Sequence, residues 1–334
     1  MKYNLLLSIL VTAFTAVTVQ AASDAPRELK VLAWNIWGRL NEAEKYDFQG
    51  KSARVRMIEI LEDSEADIIC MVETYGSAAE IAKALGYYYY TPDAKANLSI
   101  FSRYKLTDFG GLEGLSTFSH IQATARLSDK LSVKVHCIWL TSGGRHIVAI
   151  KDEKLSEKEF IDGDNNRAGM IRAFLQHPDV KKDIESSRET PVIVAGDFNC
   201  VSHLDYPVHV AKENYGRQIE QSPTHHEMLN RGFIDTWRHV HPKVTKETLG
   251  RTWTTVGTDY IYKSNEGFVP QDPRNHPRPE YQGLFARIDH VYSKGEKLIP
   301  TASKVIKHYK EHTLRSFPEF PSDHAGVLTT FRID

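Results

Sequence analysis

Five short segments, strung along the chain in a fixed order, each set an Asn, a carboxylate or a His where an apolar run ends or is about to begin. They are Trp34-Asn35-Ile36-Trp37, Met71-Val72-Glu73-Thr74, Gly196-Asp197-Phe198-Asn199, Arg287-Ile288-Asp289-His290 and Ser322-Asp323-His324. Short apolar runs read as strands, so several strand ends deliver polar groups toward one place. An α/β sheet builds a site in this way.

The rest of the chain supports a large core. Its 334 residues are 41% hydrophobic and 25% charged, which excludes disordered and fibrous classes. Lys2 precedes an apolar run from Leu5 to Val19, and Val19-Gln20-Ala21 offers small residues for cleavage, so residues 1–21 read as a signal peptide and the protein as secreted or periplasmic. The run is shorter than the ~20 residues of a membrane span, and no later segment is apolar enough to cross a bilayer. The formal net charge is −1, and removal of the leader takes away one more positive group. No global positive field therefore draws in a polyanion, and nucleic acid gains no electrostatic advantage as a partner. Cys70, Cys137 and Cys200 lie far apart in or beside apolar runs, which suits buried free thiols rather than a disulfide framework or a zinc site.

Periodicity predicts strands near residues 29–36 and 67–72 and helices over 51–62 and 78–85, the first with Val55, Ile58 and Leu61 at helical spacing and the second stopped by Gly86. Residues 98–101, 105–109, 121–127 and 131–140 are strand-like, the last two joined as a hairpin. Helix returns over 165–176, and residues 191–195, 232–235, 284–292 and 325–331 complete the strands. Residues 260–279, rich in Pro, Asn, Asp and Gly, read as a long loop. With no repeat and no linker, one domain from residue 27 to residue 334 is the economical reading.

Asn35 and Glu73 offer two oxygen ligands at two strand ends, a set that suits a hard divalent cation such as Mg2+, which takes few carboxylates and fills its shell with water and phosphate oxygens. Either residue alone also reads as a turn or a solvated strand end. Asp197 and Asn199, two apart on an extended chain, point to one face, where a carboxylate orients a water and an amide meets a phosphoryl oxygen. Asp289 and His324 form a second pair, in which a carboxylate holds one imidazole nitrogen and favours the imidazolium. Asp323 is placed to reach a metal or its bound water. Ser-Asp-His alone also serves as a helix cap or turn.

Together, the five segments resemble the endonuclease/exonuclease/phosphatase superfamily, also called DNase I-like, and the likeness spans almost the whole mature chain. Residues 202–206 and Gly250-Arg251-Thr252-Trp253 are similar to a secreted bacterial branch of it. The resemblance implies a four-layered α/β sandwich, two packed mixed β-sheets flanked by helices, and metal-dependent phosphoester hydrolysis by in-line attack of water. It implies that Glu73 holds Mg2+, with Mn2+ as the alternative ion, and that Asn35 supports the metal or the phosphate. Asp197 would orient and deprotonate the water, Asn199 and His324 would contact phosphoryl oxygens, Asp289 would pair His324, and Asp323 would stand near the metal.

One position departs from the pattern. Where family members carry a His-Leu pair, this chain has Trp139-Leu140, and an indole does not shuttle protons between heteroatoms. Trp139 either stacks on a substrate ring or packs at the core or rim. His136 is three residues earlier, so on a strand it faces the other way. His203 and Asp205 are placed to line the cleft through the loop after Asn199, and His203 also reads as a residue that ties that loop down by hydrogen bonds. The four aromatics from Tyr87 to Tyr90 would alternate faces on a strand, partly buried. The expected function is a secreted Mg2+-dependent phosphodiesterase or phosphomonoesterase acting on a small phosphorylated substrate. A secreted nuclease and a binding protein that has lost activity are the alternatives, the last kept open by Trp139.

Overall fold

The structure, a computed structural model, describes residues 26–38, 53–143, 156–212, 217–253, 255, 260–263, 267–270, 286–307 and 320–334. The expected leader lies outside the described residues. No helix among the described residues is long and apolar enough to cross a membrane.

Two six-stranded sheets carry the architecture. The first has the order β13 (Leu298–Ile306), β14 (Gly326–Ile333), β1 (Glu28–Asn35), β2 (Ile68–Val72), β4 (Leu98–Ser102) and β3 (Tyr88–Tyr90). The second has the order β5 (Leu106–Gly110), β6 (His120–Arg126), β7 (Ser132–Trp139), β8 (Val192–Asp197), β12 (Asp289–Lys294) and β9 (Ile234–Asp235). Both sheets are mixed, with β1 parallel to β2 and β7 parallel to β8 inside otherwise antiparallel neighbours.

Alternation along the strands sorts side chains into layers. Leu29, Val31 and Ala33 of β1, Ile68, Cys70 and Val72 of β2, and Ile193 and Ala195 of β8 meet in the core between the sheets. Leu32, Trp34, Ile69 and Met71 point outward, against Met57, Ile60 and Leu61 of α1 (Ala53–Ser64) and Ile81 of α2 (Ala78–Leu85). On the other side Val192, Val194 and Tyr292 pack against α3 (Glu157–Gln176), α4 (Pro178–Glu185) and α6 (Pro223–Asn230). The result is the four-layered α/β sandwich. Two short helices, α5 (Val208–Lys212) and α7 (Thr236–Val240), lie in the connections beyond β8. The three cysteines are free and buried.

Four local expectations change. The buried stripe of α1 runs through Ala53, Met57, Ile60 and Leu61, while Val55 is 44% exposed, because the helix is rotated from the stripe that Val55, Ile58 and Leu61 suggest. α3 starts at Glu157, eight residues before the expected start, because Ser156 and Glu159 form a capping box that supplies the first-turn amides with partners. Strand β13 was not anticipated: it sits at the sheet edge, where its register shifts beside Pro300, and an edge tolerates a residue with no N–H. Within residues 260–279, β10 (Tyr260–Lys263) and β11 (Gly267–Pro270) pair as a hairpin, so that stretch is not all loop.

Candidate active site

The C-terminal ends of β1, β2 and β8, the start of β12 and the turn before β14 lie at one end of the sandwich. The alternation that buries Val31 and Ala33 also turns Asn35 inward, and the same parity turns Asp197 and Asp289 inward from the facing sheet. Asp197 and Asp289 are register partners across the β8–β12 pair. Gly196 precedes Asp197 at φ +144°, and a Cβ there would stand 2.0 Å from the Ile138 carbonyl oxygen, so close packing of β7 on β8 requires glycine.

The polar groups form two hydrogen-bonded sets, a carboxylate chain around Asn35 and a pair at His324. The Asn35 amide nitrogen donates to Glu73 Oε1 and to Asp197 Oδ2, both at 3.1 Å, while its oxygen accepts from the Trp37 N–H at 2.9 Å. The Gly38 N–H donates to the other Glu73 oxygen at 2.9 Å. Asn199 donates its backbone N–H to Asp197 Oδ1 at 2.8 Å and its side-chain amide to Asp197 Oδ2 and the Leu140 carbonyl, each at 2.9 Å. His324 Nδ1 lies 2.9 Å from Asp289 Oδ2, and its Nε2 lies 3.9 Å from Asp323 Oδ1. Glu73 and Asn199 both hold left-handed backbone, φ +61° and +50°, a strained choice for residues other than glycine that clusters at functional sites.

Supporting residues fix these positions. Ser322 Oγ donates to the Asn35 carbonyl at 2.7 Å and accepts from the His324 N–H at 3.0 Å, tying β1 to the Ser-Asp-His turn. Trp34 Nε1 donates to the His324 carbonyl at 2.9 Å, and Trp253 Nε1 donates to Asp323 Oδ2 at 3.3 Å. Buried Asn97 accepts from the Glu73 N–H at 3.2 Å and donates to the Phe118 carbonyl at 2.8 Å. The sequence reading missed Asn97, although it carries the same signature as the five segments, an Asn immediately before an apolar run.

Burial pushes the Asp197 carboxyl up to about 7, and the charge on Asp289 adds to the rise. Burial likewise raises Asp323 to about 6. Burial alone would depress His324, but Asp289 and Asp323 override it and hold the imidazole well above its ordinary value. The arrangement thus sets a carboxyl that titrates near neutrality beside an imidazolium.

The donor set fits a hard cation. Ligand atoms of Asp197, Asp289 and His324 lie within 4.8 Å of one another. Asp289 Oδ1 and Asp323 Oδ1 are buried carboxylate oxygens with no hydrogen-bond partner among the described residues. An imidazolium offers no lone pair, and Asp289 is taken up by His324, so Asp323, with its unpartnered Oδ1, and Glu73, whose charge acts on it, are the carboxylates best placed for Mg2+.

Trp139 is the register partner of Asp197 on the parallel neighbour strand, half-buried, with its ring edge-on to Phe118 at 5.2 Å. His136 is buried on the opposite face of β7. His203 Nδ1 lies 2.6 Å from Ser222 Oγ, its ring stacks on His226, and no hydrogen bond among the described residues joins it to the carboxylate chain. Asp205 is fully buried and takes two hydrogen bonds from Arg287, which also bonds Asp235. That network clamps the loop after Asn199 to the segment entering β12. Tyr88 and Tyr89 are exposed and Tyr90 is half-buried against Phe109.

Proteins of known sequence and structure resemble this chain. "Uncharacterized protein F14F9.5" of Caenorhabditis elegans is 32% identical over 186 residues, covering 54% of each chain. "Recombination repair protein 1" of Drosophila melanogaster is 25% identical over 232 residues, 66% of this chain and 29% of that protein. The chain thus spans about half the length of the first relative and under a third of the second. Among solved structures, D. rerio TDP2 complexed with single-strand DNA product superposes with a TM-score of 0.54 at 16% identity, over 92% of this chain and 100% of that one. An AP endonuclease from Archaeoglobus fulgidus gives 0.54 at 17%, over 91% and 99%. At such identities the likeness speaks for the fold. The Endonuclease/Exonuclease/phosphatase family model matches residues 32–324, from β1 to His324, and the chain belongs to that family.

Proposed function

We propose that this protein is a Mg2+-dependent phosphohydrolase that cleaves a small phosphodiester or phosphomonoester by in-line attack of water. The observation that carries the reading is the hydrogen-bonded series Glu73–Asn35–Asp197 and the Asp289–His324 pair with Asp323 3.9 Å from it, brought together where Asp197 and Asp289 are register partners across β8 and β12. Family membership supports phosphoester hydrolysis as the reaction class.

Asp197, raised to about 7, accepts the proton of the attacking water and is aimed by Asn35 and Asn199. His324, kept protonated by Asp289, donates to a phosphoryl oxygen as negative charge builds there. Asn199 would meet the same group by giving up one of its two amide hydrogen bonds, to Asp197 or to the Leu140 carbonyl. Glu73 and Asp323 would hold Mg2+, or Mn2+ in its place, with Asn35 orienting Glu73. When bound, the ion supplies Lewis-acid neutralisation of the phosphoryl charge. Trp139, beside Asp197, walls the cleft at the position where a proton carrier would otherwise stand, so protonation of the leaving group falls to His324 or to solvent.

A nuclease is the second reading, favoured by the likeness to TDP2 solved with a single-strand DNA product and opposed by the net charge of −1. We assign the mature protein to the secreted or periplasmic space on the leader at residues 1–21; N-terminal sequencing after export tests this, and an intact Met1 would overturn it.

Hydrolysis of a generic aryl phosphodiester, the matching monoester and a single-stranded oligonucleotide, with Mg2+ and with chelator, is the decisive experiment. Metal-requiring turnover lost in Asp197→Asn supports the reading. Turnover that survives chelator or Asp197→Asn refutes the mechanism, and metal-requiring cleavage of the oligonucleotide alone selects the nuclease.

A further inference from the structure

One side of the cleft is aromatic. Trp139 continues the inward parity of Val133, Val135 and Cys137 along β7, which carries its ring to the same face as Asp197, its register partner on β8. Phe118 stands beside it, with ring centroids 5.2 Å apart and planes at 84°, and is itself 45% exposed. Trp139 is half-buried, so both rings keep part of their surface open. Neither is loosely held. The Trp139 N–H donates to the Ser119 carbonyl at 2.9 Å, and the Phe118 N–H donates to Ser116 Oγ at 3.2 Å, which pins the turn entering β6 to the end of β7.

The pair is tied to both halves of the carboxylate chain. Asn97 accepts from the Glu73 N–H and donates to the Phe118 carbonyl, so one buried amide fixes Phe118 relative to Glu73. The Leu140 N–H donates to the Asp197 carbonyl at 2.9 Å, and the Leu140 carbonyl accepts from the Asn199 amide, so the residue after Trp139 is locked to Asp197 and Asn199. The Trp139 backbone thus lies one strand spacing, about 4.8 Å, from that of Asp197, and Phe118 stands one ring beyond. An edge-on pair leaves a corner in which a third flat ring meets one neighbour face to face and the other edge to face. An aliphatic group of equal size fills the same corner without the gain from the ring quadrupoles.

We propose that Trp139 and Phe118 form the specificity subsite of the cleft, and that the phosphoester taken by this protein carries a flat aromatic ring, carbocyclic or heterocyclic, on one of its ester oxygens. The inference rests on the phosphohydrolase reading and adds the substrate class to it. The indole, which has no proton to give a leaving group, serves the organic part of the substrate instead.

The test is isothermal titration calorimetry of the full chain in Mg2+ with phenylphosphonate and with cyclohexylphosphonate. Both resist hydrolysis, share the phosphoryl end and bury similar apolar area, so the ratio of their affinities isolates the aromatic contact. Phenylphosphonate should bind about 2- to 10-fold tighter. Trp139→Ala and Phe118→Ala should each bring the ratio toward one, and Trp139→Phe should keep the preference. A merely structural role for Trp139 would weaken both ligands together and leave the ratio unchanged. Equal affinities in the wild type, binding of neither phosphonate, or a preference untouched in both alanine variants would each overturn the proposal. Phe118→Ala, at an exposed position, decides the question if Trp139→Ala does not fold. Metal-requiring turnover with equal phosphonate affinities overturns the subsite alone, whereas a ring preference without metal-requiring turnover overturns the phosphohydrolase reading alone.

Discussion

A single amide nitrogen, that of Asn35, lies 3.1 Å from a carboxylate oxygen of Glu73 and 3.1 Å from one of Asp197, so one residue of the first sheet orients an acid on each side of the cleft. Asn35→Ala removes both donors at once and leaves two carboxylates to repel each other. Turnover on an aryl phosphodiester should fall about 10–100-fold, as for other groups that orient ligands. An unchanged rate in a folded variant would rule out the orienting role.

Glu73→Gln keeps the side chain's shape and removes its charge. The expected result is a large rise in the Mg2+ concentration needed for half-maximal rate, with a melting temperature close to wild type, since Glu73 is half-exposed. A collapse in stability with normal metal response would make Glu73 structural.

His324→Ala should lower kcat by about 10²- to 10³-fold, the usual loss for one charge-stabilising donor. Asp289→Asn, which takes away the partner at 2.9 Å, should produce a smaller loss in the same direction. A normal kcat in His324→Ala would remove the residue from the mechanism.

Gly196→Ala sets a methyl against the Ile138 carbonyl at a φ of +144°. Destabilisation of about 2–4 kcal/mol by urea denaturation is expected, through strain and overpacking. A change below about 0.5 kcal/mol, the range of neutral surface substitutions, would show that β7 and β8 separate more easily than their packing implies.

Acidification should weaken the fold through His225. Burial depresses its imidazole from 6.5 to about 3, so between those values the unfolded chain binds a proton that the native state refuses. Stability from this group is complete above pH 6.5 and is lost as pH falls toward 3. Asp197, raised to about 7, acts in the opposite sense over part of the range, so the comparison must be with a variant. The wild type should lose more stability than His225→Gln between pH 7 and pH 4.5; equal losses would mean that His225 takes up its proton in the native state.

Much of the cleft was legible because its residues stand beside apolar runs whose strand character is local. Asn35, Asp197 and Asp289 each continue the inward parity of a strand that could be read in one dimension. Asn97 escaped because the run after it, Leu98 to Ser102, gives no hint that its Asn faces Glu73 across a strand pair. β13 escaped because an edge strand interrupted by Pro300 shows little alternation.

The chain by itself determined the strand ends, the residue types placed on them and the inward face of each, because alternation and turn chemistry are properties of neighbouring residues. Only the tertiary structure decided which ends adjoin. β8 lies between β7 and β12, so Asp197 has Trp139 on one side and Asp289 on the other, and Asn35 reaches Asp197 from the facing sheet. The same packing buried Asp205 under Arg287 rather than in the cleft. Strand propensity carries no record of partner or register, which are settled when two sheets bury one shared core.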